Sequence, residues 1–377
     1  MYPAPEPFVK RDVSDFARAH FIQSRIVPNG VPNGTKFGEI SLPPMPTNTS
    51  AGPPTPGSSH VRVRAFAPGG IGNLGPGLDI LGCAVTGPGD TVDAERIRAP
   101  GVRLDDPGHP DLPTDPKRHT AAIAATEVLR RVGAESTGLA LRVRKGLPLA
   151  GGQGGSAASA IAGAVAANAM LGFPLGVDEL LLAALVAEER VAGRHLDNLA
   201  PALVGGIVLV RSIDPVATVR FSAPDALRIV LVHPEMRLRT ADARAVLPAT
   251  VDRATSIAQA AAVATMVAAF ATGNLALLRG AIEDRIAEPA RTALLPGFAR
   301  AKDAALRAGA LGASIAGGGP SAFAMTHGDD VAAPVLEAML AAYSASGIAA
   351  TGRIARVDAR GARVTVDDGP ELPGVRP

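Results

Sequence analysis

Apolar and polar side chains alternate over short stretches in the first half of the chain. Residues 61–66 and 139–143 both show this period of two, and both run into glycine-rich turns. Such alternation predicts half-buried β-strands, because successive side chains of a strand point to opposite faces. The glycines after the second stretch lead into residues 156–171, which consist mostly of Ala, Val, Ile and Gly. We expect a helix there, so the pattern predicts strand, loop and helix in succession.

Helical and strand-like patterns continue to alternate through the rest of the chain. A run at residues 227–232, apolar except for Arg228, predicts a buried strand that opens a second domain. The other predicted elements are helices at 180–192, 256–272, 275–283 and 298–308 and short strands at 206–210, 313–315 and 321–325. Strands and helices that alternate in both halves indicate an α+β or α/β protein of two domains. We place these domains at residues 60–225 and 226–358.

Two flanking segments differ from this folded region. Residues 1–59 contain 11 of the 33 prolines and a tandem VPNG repeat. This composition buries too little apolar surface to offset the entropy of ordering the chain, so we expect a disordered extension. It is an appendage, the result of a start codon placed too early, or a functional arm, and the sequence leaves these alternatives open. Residues 359–377 are expected to form a flexible tail.

The composition narrows the class of protein. The chain has 377 residues, of which 47% are hydrophobic and 19% charged, and its formal net charge is +2. A nearly balanced charge and only 3% aromatic residues do not indicate binding to nucleic acid or to an anionic membrane surface. Cys83 is the single cysteine, so no internal disulfide can form, and no Cys/His cluster has zinc spacing. Any bound metal would therefore use oxygen ligands.

The location of the protein is also constrained. The N-terminus lacks the charged start, apolar run and small-residue cleavage site of a secretory signal, so we expect a cytoplasmic protein. The longest apolar stretch, residues 257–271, is about 15 residues long, shorter than the roughly 20 residues that span a bilayer. We therefore predict a buried helix of a soluble protein there, and no membrane partner.

Three glycine-rich segments carry most of the candidate chemistry. The first glycine segment, residues 68–79 (PGGIGNLGPGLD), sets Asn73 and Asp79 in a tightly turned backbone. Taken alone, it is equally consistent with an ordinary loop in which Asn73 is left-handed and Asp79 caps a helix. The third glycine segment, residues 317–321 (GGGPS), either lets the backbone approach a ligand or forms a tight hairpin.

The second glycine segment, residues 148–158 (PLAGGQGGSAA), opens directly into the helix predicted from Ser156. Free backbone N–H groups and the positive end of the helix then converge on one point, which favours phosphate binding. Ser156 adds a hydroxyl for phosphate or Mg²⁺. No Lys-Ser/Thr pair follows the glycines and the spacing does not match a dinucleotide fingerprint, so the segment is not a Walker loop or a Rossmann turn. A closely packed helix start without a ligand is the alternative.

In their order and spacing, the three segments resemble the motifs of the GHMP small-molecule kinases. Three further stretches resemble the homoserine kinase family within that superfamily: residues 195–206 (HLDNLAPALVGG), 240–248 (TADARAVLP) and 286–298 (IAEPARTALLPGF). The resemblance implies an α+β fold of two domains, the first like ribosomal S5 domain 2 and the second ferredoxin-like, with the active site between them. It also implies transfer of the γ-phosphoryl group of ATP to the hydroxyl of L-homoserine, for threonine biosynthesis, and a homodimer.

The resemblance implies roles for individual residues. L-Homoserine would contact Asn73 and His195, with Asp79 and Asp197 at its ammonium or hydroxyl end as the catalytic carboxylates. ATP would bind along the second and third glycine segments. The residues implied for ATP are Pro148, Gly151, Gly152, Gln153, Gly154, Gly155, Ser156, Ala157 and Gly318. Without the family, His195 could equally be a structural histidine and residues 197–198 the cap of a turn.

Arg244 and Arg291 would hold the carboxylate of homoserine. A planar guanidinium suits this role because it donates two parallel hydrogen bonds to one carboxylate. Each arginine also has an ordinary alternative, as a surface partner of Asp242 or of Glu288.

The family implies a Mg²⁺ site made of a phosphate-loop serine and a glutamate upstream of the HLDN stretch, oxygen ligands that suit a hard cation. The matching residues are Ser156 and Glu188, with Glu189 as the competitor.

In the second glycine segment, Gly155 stands where a serine is usual in the family and Gln153 where a leucine is usual. In the first segment, residues 69–72 replace small hydroxyl residues, and Gly318 and Ser321 are mild departures in the third. The hydroxyl missing at Gly155 predicts weaker ATP binding, but no charged group is lost, so we predict an active enzyme.

Other functions stay open at this point. A different GHMP kinase would act on another small alcohol, such as mevalonate or a diphosphocytidyl sugar alcohol. The altered phosphate loop also suits a catalytically impaired ATP-binding homologue. A nucleic-acid-binding module is supported least, because aromatic residues are scarce and no basic stripe interleaves them.

Overall fold

The computed structural model describes residues 62–366, and the predicted extension at 1–59 lies outside them. The strands are β1 (Arg62–Ile71), β2 (Leu81–Ile97), β3 (Gly101–Asp106), β4 (Gly138–Arg144), β5 (Ile207–Ile213), β6 (Val216–Phe221), β7 (Leu227–Pro234), β8 (Gly312–Ile315), β9 (Ala322–His327), β10 (Ala350–Ala355) and β11 (Arg363–Val366). The α-helices are α1 (Thr120–Arg131), α2 (Gly155–Met170), α3 (Val177–Glu189), α4 (Leu199–Val204), α5 (Thr240–Ala245), α6 (Arg253–Thr272), α7 (Ala287–Arg291), α8 (Phe298–Arg307) and α9 (Asp329–Ser344).

The first sheet contains seven strands in the order β11-β1-β2-β4-β3, with β5 paired to β2 and β6 to β5. Helices α1 to α4 share one apolar core with this sheet. Helix α2 is buried along almost its whole length, as its small side chains allow. Gly163 lets α1 approach α2 closely, because a Cβ at this position would lie 2.2 Å from the carbonyl oxygen of Ala121. Small residues thus replace aromatic ones in the interior packing.

The second sheet contains four antiparallel strands in the order β10-β7-β9-β8. Helices α8 and α9 cover one face, where Phe298 and Tyr343 are fully buried. The opposite face, including Phe323 of β9, shares a core with Ile71 and Leu81 of the first sheet. The first glycine segment connects β1 to β2 at this junction, so it faces both sheets.

Most predicted elements are present with ends shifted by a few residues. The strands predicted at 139–143 and 227–232 are β4 and β7, and the helices predicted at 156–171 and 298–308 are α2 and α8. The helix predicted at 275–283 is wrong, because Leu275–Leu278 forms only a 3₁₀ turn. Gly280 has a φ of 75°, a left-handed conformation that ends the helical path.

The expected flexible tail is wrong for the part of it that the structure describes. Arg363–Val366 forms β11, which pairs antiparallel with β1 from Phe66 to Val63. This pairing satisfies the backbone N–H and C=O groups along one edge of β1. The remaining tail, residues 367–377, lies outside the described part of the chain.

Helix α6 is present, but the prediction that it is buried is wrong. Only 28% of its most apolar window is buried, and Ile257 is 64% exposed. The helix packs through one face, with Met266 and Phe270 inside. With a mean hydropathy of 1.6, α6 is the one helix within residues 62–366 that is long and apolar enough to cross a membrane. Length and composition alone are weak evidence for such a role.

Candidate active site

One cavity of about 360 Å³ collects residues from all three glycine segments. Backbone hydrogen bonds join the segments directly. Gly317 N donates to Gly72 O at 3.2 Å, Ser321 N to Gly151 O at 3.3 Å, and Gly70 N to Gln153 O at 3.1 Å. The hairpin interpretation of the third segment is confirmed, since it turns between β8 and β9, and the segment also lines the cavity.

Glycine is required where the second and third segments meet. Gly152 has a φ of 76°, and a Cβ there would lie 2.4 Å from Ala316 O and 2.7 Å from Gly319 O. A side chain at this position would push the two segments apart and strain the backbone. The close contact explains why the loop bends sharply before α2 begins.

The phosphate-loop end of the cavity is formed by the start of α2. Gly154, in a left-handed conformation with φ 69°, precedes the helix, and no side chain caps its first turn. The first turn also contains no acidic residue. Its N–H groups are therefore available to an anion, and the helix end is positive.

A buried ion pair lies behind this helix start. Lys145 Nζ pairs with the fully buried Asp90 and donates to Gly155 O at 2.9 Å and Ser159 Oγ at 3.0 Å. Ser159 Oγ donates in turn to Asp90 at 2.6 Å. All three ammonium protons of Lys145 therefore have acceptors. The pair holds the first turn of α2 in place, and sequence inspection missed both Lys145 and Asp90 because neither belongs to a glycine motif.

Ser156 and Glu188 meet on the wall of the cavity. Ser156 Oγ donates to Glu188 Oε1 at 3.1 Å, while Oε2 of the same carboxyl is buried without a partner. Burial raises the pKa of Glu188, and the charge of His195 and the Ser156 hydrogen bond only partly oppose the rise. Glu189, the competitor, lies outside the cavity lining and is half exposed, 3.5 Å from Arg194. Ser156 with Glu188 is thus the oxygen pair that could hold a cation.

The opposite end of the cavity is charged, and Asp79 is central to it. Arg244 donates to both oxygens of Asp79, at 3.0 and 2.7 Å. Burial raises the pKa of Asp79, but the hydrogen bond and charge of Arg244 outweigh it, so the pKa lies below its ordinary value. Asp79 has a φ of 62°, and its backbone N–H donates to Asn73 Oδ1 at 3.1 Å. Asn73 Nδ2 donates to Gly317 O at 2.8 Å, so Asn73 links the backbone of Asp79 to the third glycine segment.

Asp197 and His195 form a second buried pair. His195 Nδ1 lies 3.0 Å from Asp197 Oδ1, and Nε2 lies 3.2 Å from Ala192 O. Burial lowers the pKa of His195, but the hydrogen bond and charge of Asp197, with Glu188 and Asp79, raise it to about 9. Asp79, His195 and Asp197 lie close enough together to ligate a metal. Both ring nitrogens of His195 already have partners, however, so its imidazole offers no free nitrogen to a metal ion.

Arg291 is the most buried arginine of the site, with 4% of its surface exposed. Its Nε donates to Ala243 O at 2.9 Å and its Nη1 to Gly317 O at 3.2 Å, and no carboxylate among residues 62–366 forms an ion pair with it. Burial lowers its pKa, yet a guanidinium remains charged. The alternative roles of Arg244 and Arg291, as surface partners of Asp242 and Glu288, are wrong. Asp242 pairs instead with Arg239, and Glu288 with Lys302.

The structure brings together nearly all of the predicted site residues. Two do not line the cavity with their side chains: Ala157 is buried in the core, and Gln153 turns away from the cavity. Gln153 Nε2 donates to Ser321 Oγ at 3.1 Å, which in turn donates to Gly151 O at 2.6 Å. Gln153, which stands where the family usually has a leucine, therefore has a polar partner in Ser321. The lining residues that sequence inspection missed include His119, Lys145, Ser159, Asn198 and Thr240.

Comparisons with known proteins show the family to which the chain belongs. Residues 119–206 match the GHMP kinases N terminal domain and residues 266–345 the GHMP kinases C terminal family. The homoserine kinase of Chlorobium phaeovibrioides is 41% identical over 298 residues, covering 75% of this chain and 92% of the relative. That of Arabidopsis thaliana is 40% identical over 313 residues, covering 81% and 85%.

A solved structure gives the same result. The crystal structure of homoserine kinase from Cytophaga hutchinsonii matches with a TM-score of 0.78 at 37% identity, covering 81% of this chain and 98% of that one. The predicted α+β fold with GHMP kinase domains is confirmed. This chain belongs to the homoserine kinase family of the GHMP kinases.

Proposed function

We propose that this kinase transfers the γ-phosphoryl group of ATP to the side-chain hydroxyl of L-homoserine, giving O-phospho-L-homoserine and ADP. One observation carries the proposal. The cavity contains an uncapped helix start and a buried guanidinium, Arg291, whose side-chain hydrogen bonds go to backbone carbonyls and which forms no ion pair with a carboxylate of residues 62–366. A phosphate donor suits the first feature and an amino-acid carboxylate suits the second.

The triphosphate of ATP binds at the start of α2. Backbone N–H groups between Gly151 and Ser156 face the phosphates, so recognition depends on main-chain geometry more than on side chains. Lys145 supports this turn from behind through Gly155 O. The glycine that replaces the usual serine at 155 therefore removes one hydroxyl while the main-chain contacts stay in place.

L-Homoserine binds at the charged end. Its carboxylate faces Arg291 and Arg244, and its ammonium faces Asp79. The hydroxyl lies near Asp197, which His195 and the N–H of Asn73 hold in a fixed orientation. Phosphoryl transfer needs positioning and charge neutralisation above all, and Asp79 and Asp197 supply the orientation.

Mg²⁺ is the cation that suits Ser156 and Glu188. Both offer oxygen, and Glu188 Oε2 is a buried acceptor without a partner. When bound, the cation neutralises phosphate charge. Glu188 and the hydroxyl of Ser156 would hold it beside the start of α2.

We also propose a cytoplasmic homodimer. The relatives are homoserine kinases, which are biosynthetic enzymes, and the apolar exposed face of α6 is available for contact with a second copy. Sedimentation of the purified full chain over a range of concentrations tests the dimer, and a single species of monomer mass throughout would contradict it.

The function is tested with a coupled assay of ADP release by the full chain. L-Homoserine is compared with L-serine, L-threonine and mevalonate at saturating Mg-ATP. We expect selective turnover of L-homoserine. Turnover of mevalonate instead would refute the assignment of Arg291 to a carboxylate of this amino acid. Binding of ATP without any turnover would favour the impaired homologue.

A further inference from the structure

Arg244 and Asp79 neutralise each other where the substrate should bind. Their bidentate pair, at 3.0 and 2.7 Å, lines the cavity, and each side chain is 36% exposed. In the proposed function Arg244 faces the substrate carboxylate and Asp79 its ammonium. The two side chains proposed to bind the charged groups of homoserine are therefore already paired with one another.

We infer that the Arg244–Asp79 ion pair occupies the place of the substrate's zwitterion, and that L-homoserine binds by exchanging partners with it. The ammonium of the substrate replaces the guanidinium at Asp79, while the carboxylate replaces Asp79 at Arg244. Every charge keeps a partner through the exchange. This inference rests on the proposed function and adds a rule for substrate selection.

The surroundings indicate which side chain moves. The backbone of Asp79 is held in a left-handed conformation by the hydrogen bond from its N–H to Asn73, and its side chain is short. Arg291 is fixed by two backbone carbonyls. Arg244 has no comparable anchor: its Nε is buried without a partner, and its hydrogen bonds all go to Asp79. It lies on α5, a helix of only six residues in which Ala243 alone is buried. Opening the pair therefore needs the movement of one side chain.

The exchange couples recognition of the two charges. A compound with an ammonium but no carboxylate would bind Asp79 and leave Arg244 without a partner. A compound with only a carboxylate would bind Arg244 and leave Asp79 without a partner. Leaving either charge unpaired in a partly buried cavity is unfavourable. The site therefore selects molecules that carry both charges at once, and the two contributions are not additive.

The test uses two single-charge probes, 3-aminopropan-1-ol and 4-hydroxybutanoate, with L-homoserine as reference. In Arg244→Gln, Asp79 has lost its resident partner and the carboxylate of homoserine still has Arg291. We expect kcat/KM for 3-aminopropan-1-ol to rise at least about fivefold over the wild type, while that for L-homoserine falls about tenfold or more. The mirror variant, Asp79→Asn, should gain with 4-hydroxybutanoate, and asparagine tolerates the left-handed backbone.

The matched control is Arg239→Gln, which breaks the exposed Arg239–Asp242 pair on the same helix. It should leave all three substrates unchanged. A rise in kcat/KM for the single-charge probe together with a fall for L-homoserine, in either variant, supports the exchange. Losses of similar size for the single-charge probe and for L-homoserine, in both variants, would overturn it. Failure of the wild type to phosphorylate L-homoserine is a separate result, which refutes the proposed function.

Discussion

The two ends of the cavity recognise charge in different ways. The phosphate-loop end presents main-chain N–H groups of α2, with Lys145 paired to the buried Asp90 and Glu188 bonded to Ser156 beside them. The amino-acid end presents charged side chains from distant parts of the sequence, with Asp79 and Arg244 separated by 165 positions. The glycine-rich loop offers mainly backbone donors, whereas the amino-acid end offers charged side chains.

This difference explains where the chain tolerates change. Removing a side chain from the phosphate loop leaves its N–H groups in place, so the departures at Gly155 and Gln153 leave the proposed anion site its main-chain donors. A charged side chain at the amino-acid end has no such substitute. The comparison predicts large effects from side-chain changes at the amino-acid end. Within the glycine-rich stretch at residues 150–155, it predicts large effects only from changes that move the backbone.

The largest effect is expected for Arg291→Ala. Losing a buried guanidinium from the proposed carboxylate contact should lower kcat/KM for L-homoserine by about 10²–10³-fold, roughly 3–4 kcal/mol. The KM for ATP should stay within about twofold, because α2 is untouched. Steady-state kinetics with each substrate varied in turn provides the measurement. Arg300→Ala, an exposed arginine on α8, is the control. Equal losses toward both substrates would break the comparison.

The second effect concerns the charge of His195. Its pKa is raised from 6.5 to about 9 in the folded state. The resulting stabilisation is complete below about pH 6.5 and is lost as the pH rises through about 9, because the folded state keeps a proton that the unfolded state releases. The wild type should lose on the order of 3 kcal/mol of unfolding free energy over this interval.

In His195→Gln this part of the pH dependence should disappear. Urea unfolding at pH 6, 7.5 and 9 measures it, with His327→Gln, an exposed histidine on β9, as the control. If the unfolding free energy depends on pH in the same way in the wild type, His195→Gln and His327→Gln, the Asp197–His195 pair does not hold the proton.

The third effect tests the backbone of the loop. Gly152→Ala adds a Cβ 2.4 Å from Ala316 O at a φ of 76°. We expect a loss of about 1–3 kcal/mol in stability and a rise of about tenfold in the KM for ATP. Gly273→Ala is a matched control, since its φ is 71° but a Cβ there meets nothing within 4 Å. It should lose stability without any change in the KM for ATP, and similar kinetic changes in both variants would contradict the expectation.

The smallest effect is expected where the loop already departs from the family. In Gly155→Ser the nearest atom to the new Cβ is Lys145 Nζ at 3.5 Å, an ordinary contact. The KM for ATP should fall or stay within about threefold, and helix propensity should add about 0.5 kcal/mol of stability. Gly154→Ser is the contrasting variant, because Gly154 has a φ of 69° and a side chain there would strain the backbone. A tenfold loss of ATP affinity in Gly155→Ser would mean that the loop depends on more than its backbone.

Sequence motifs identified the cavity well because each one lies within a continuous stretch. Asp79, Asp197 and Arg291 were all expected near the substrate, and all three line the cavity. The partners of these residues could not be predicted, since they depend on contacts across the fold. Asn73, expected to touch the substrate, lines the cavity, and its hydrogen bonds to Asp79 N and Gly317 O are among the contacts that the sequence could not show. The order of the strands and the exposure of α6 likewise depend on tertiary packing, which periodicity does not describe.

The pairing of β11 with β1 also affects the synthesis of the protein. Val63 and Val366 are register partners, although 303 positions separate them. At translation rates of about 5–20 residues per second, β1 leaves the ribosome roughly 15–60 s before its edge partner exists. The whole second sheet is made during this interval. The first sheet therefore completes its edge only after the rest of the enzyme has been synthesised, and a circular permutant that joins these neighbouring ends would remove the delay.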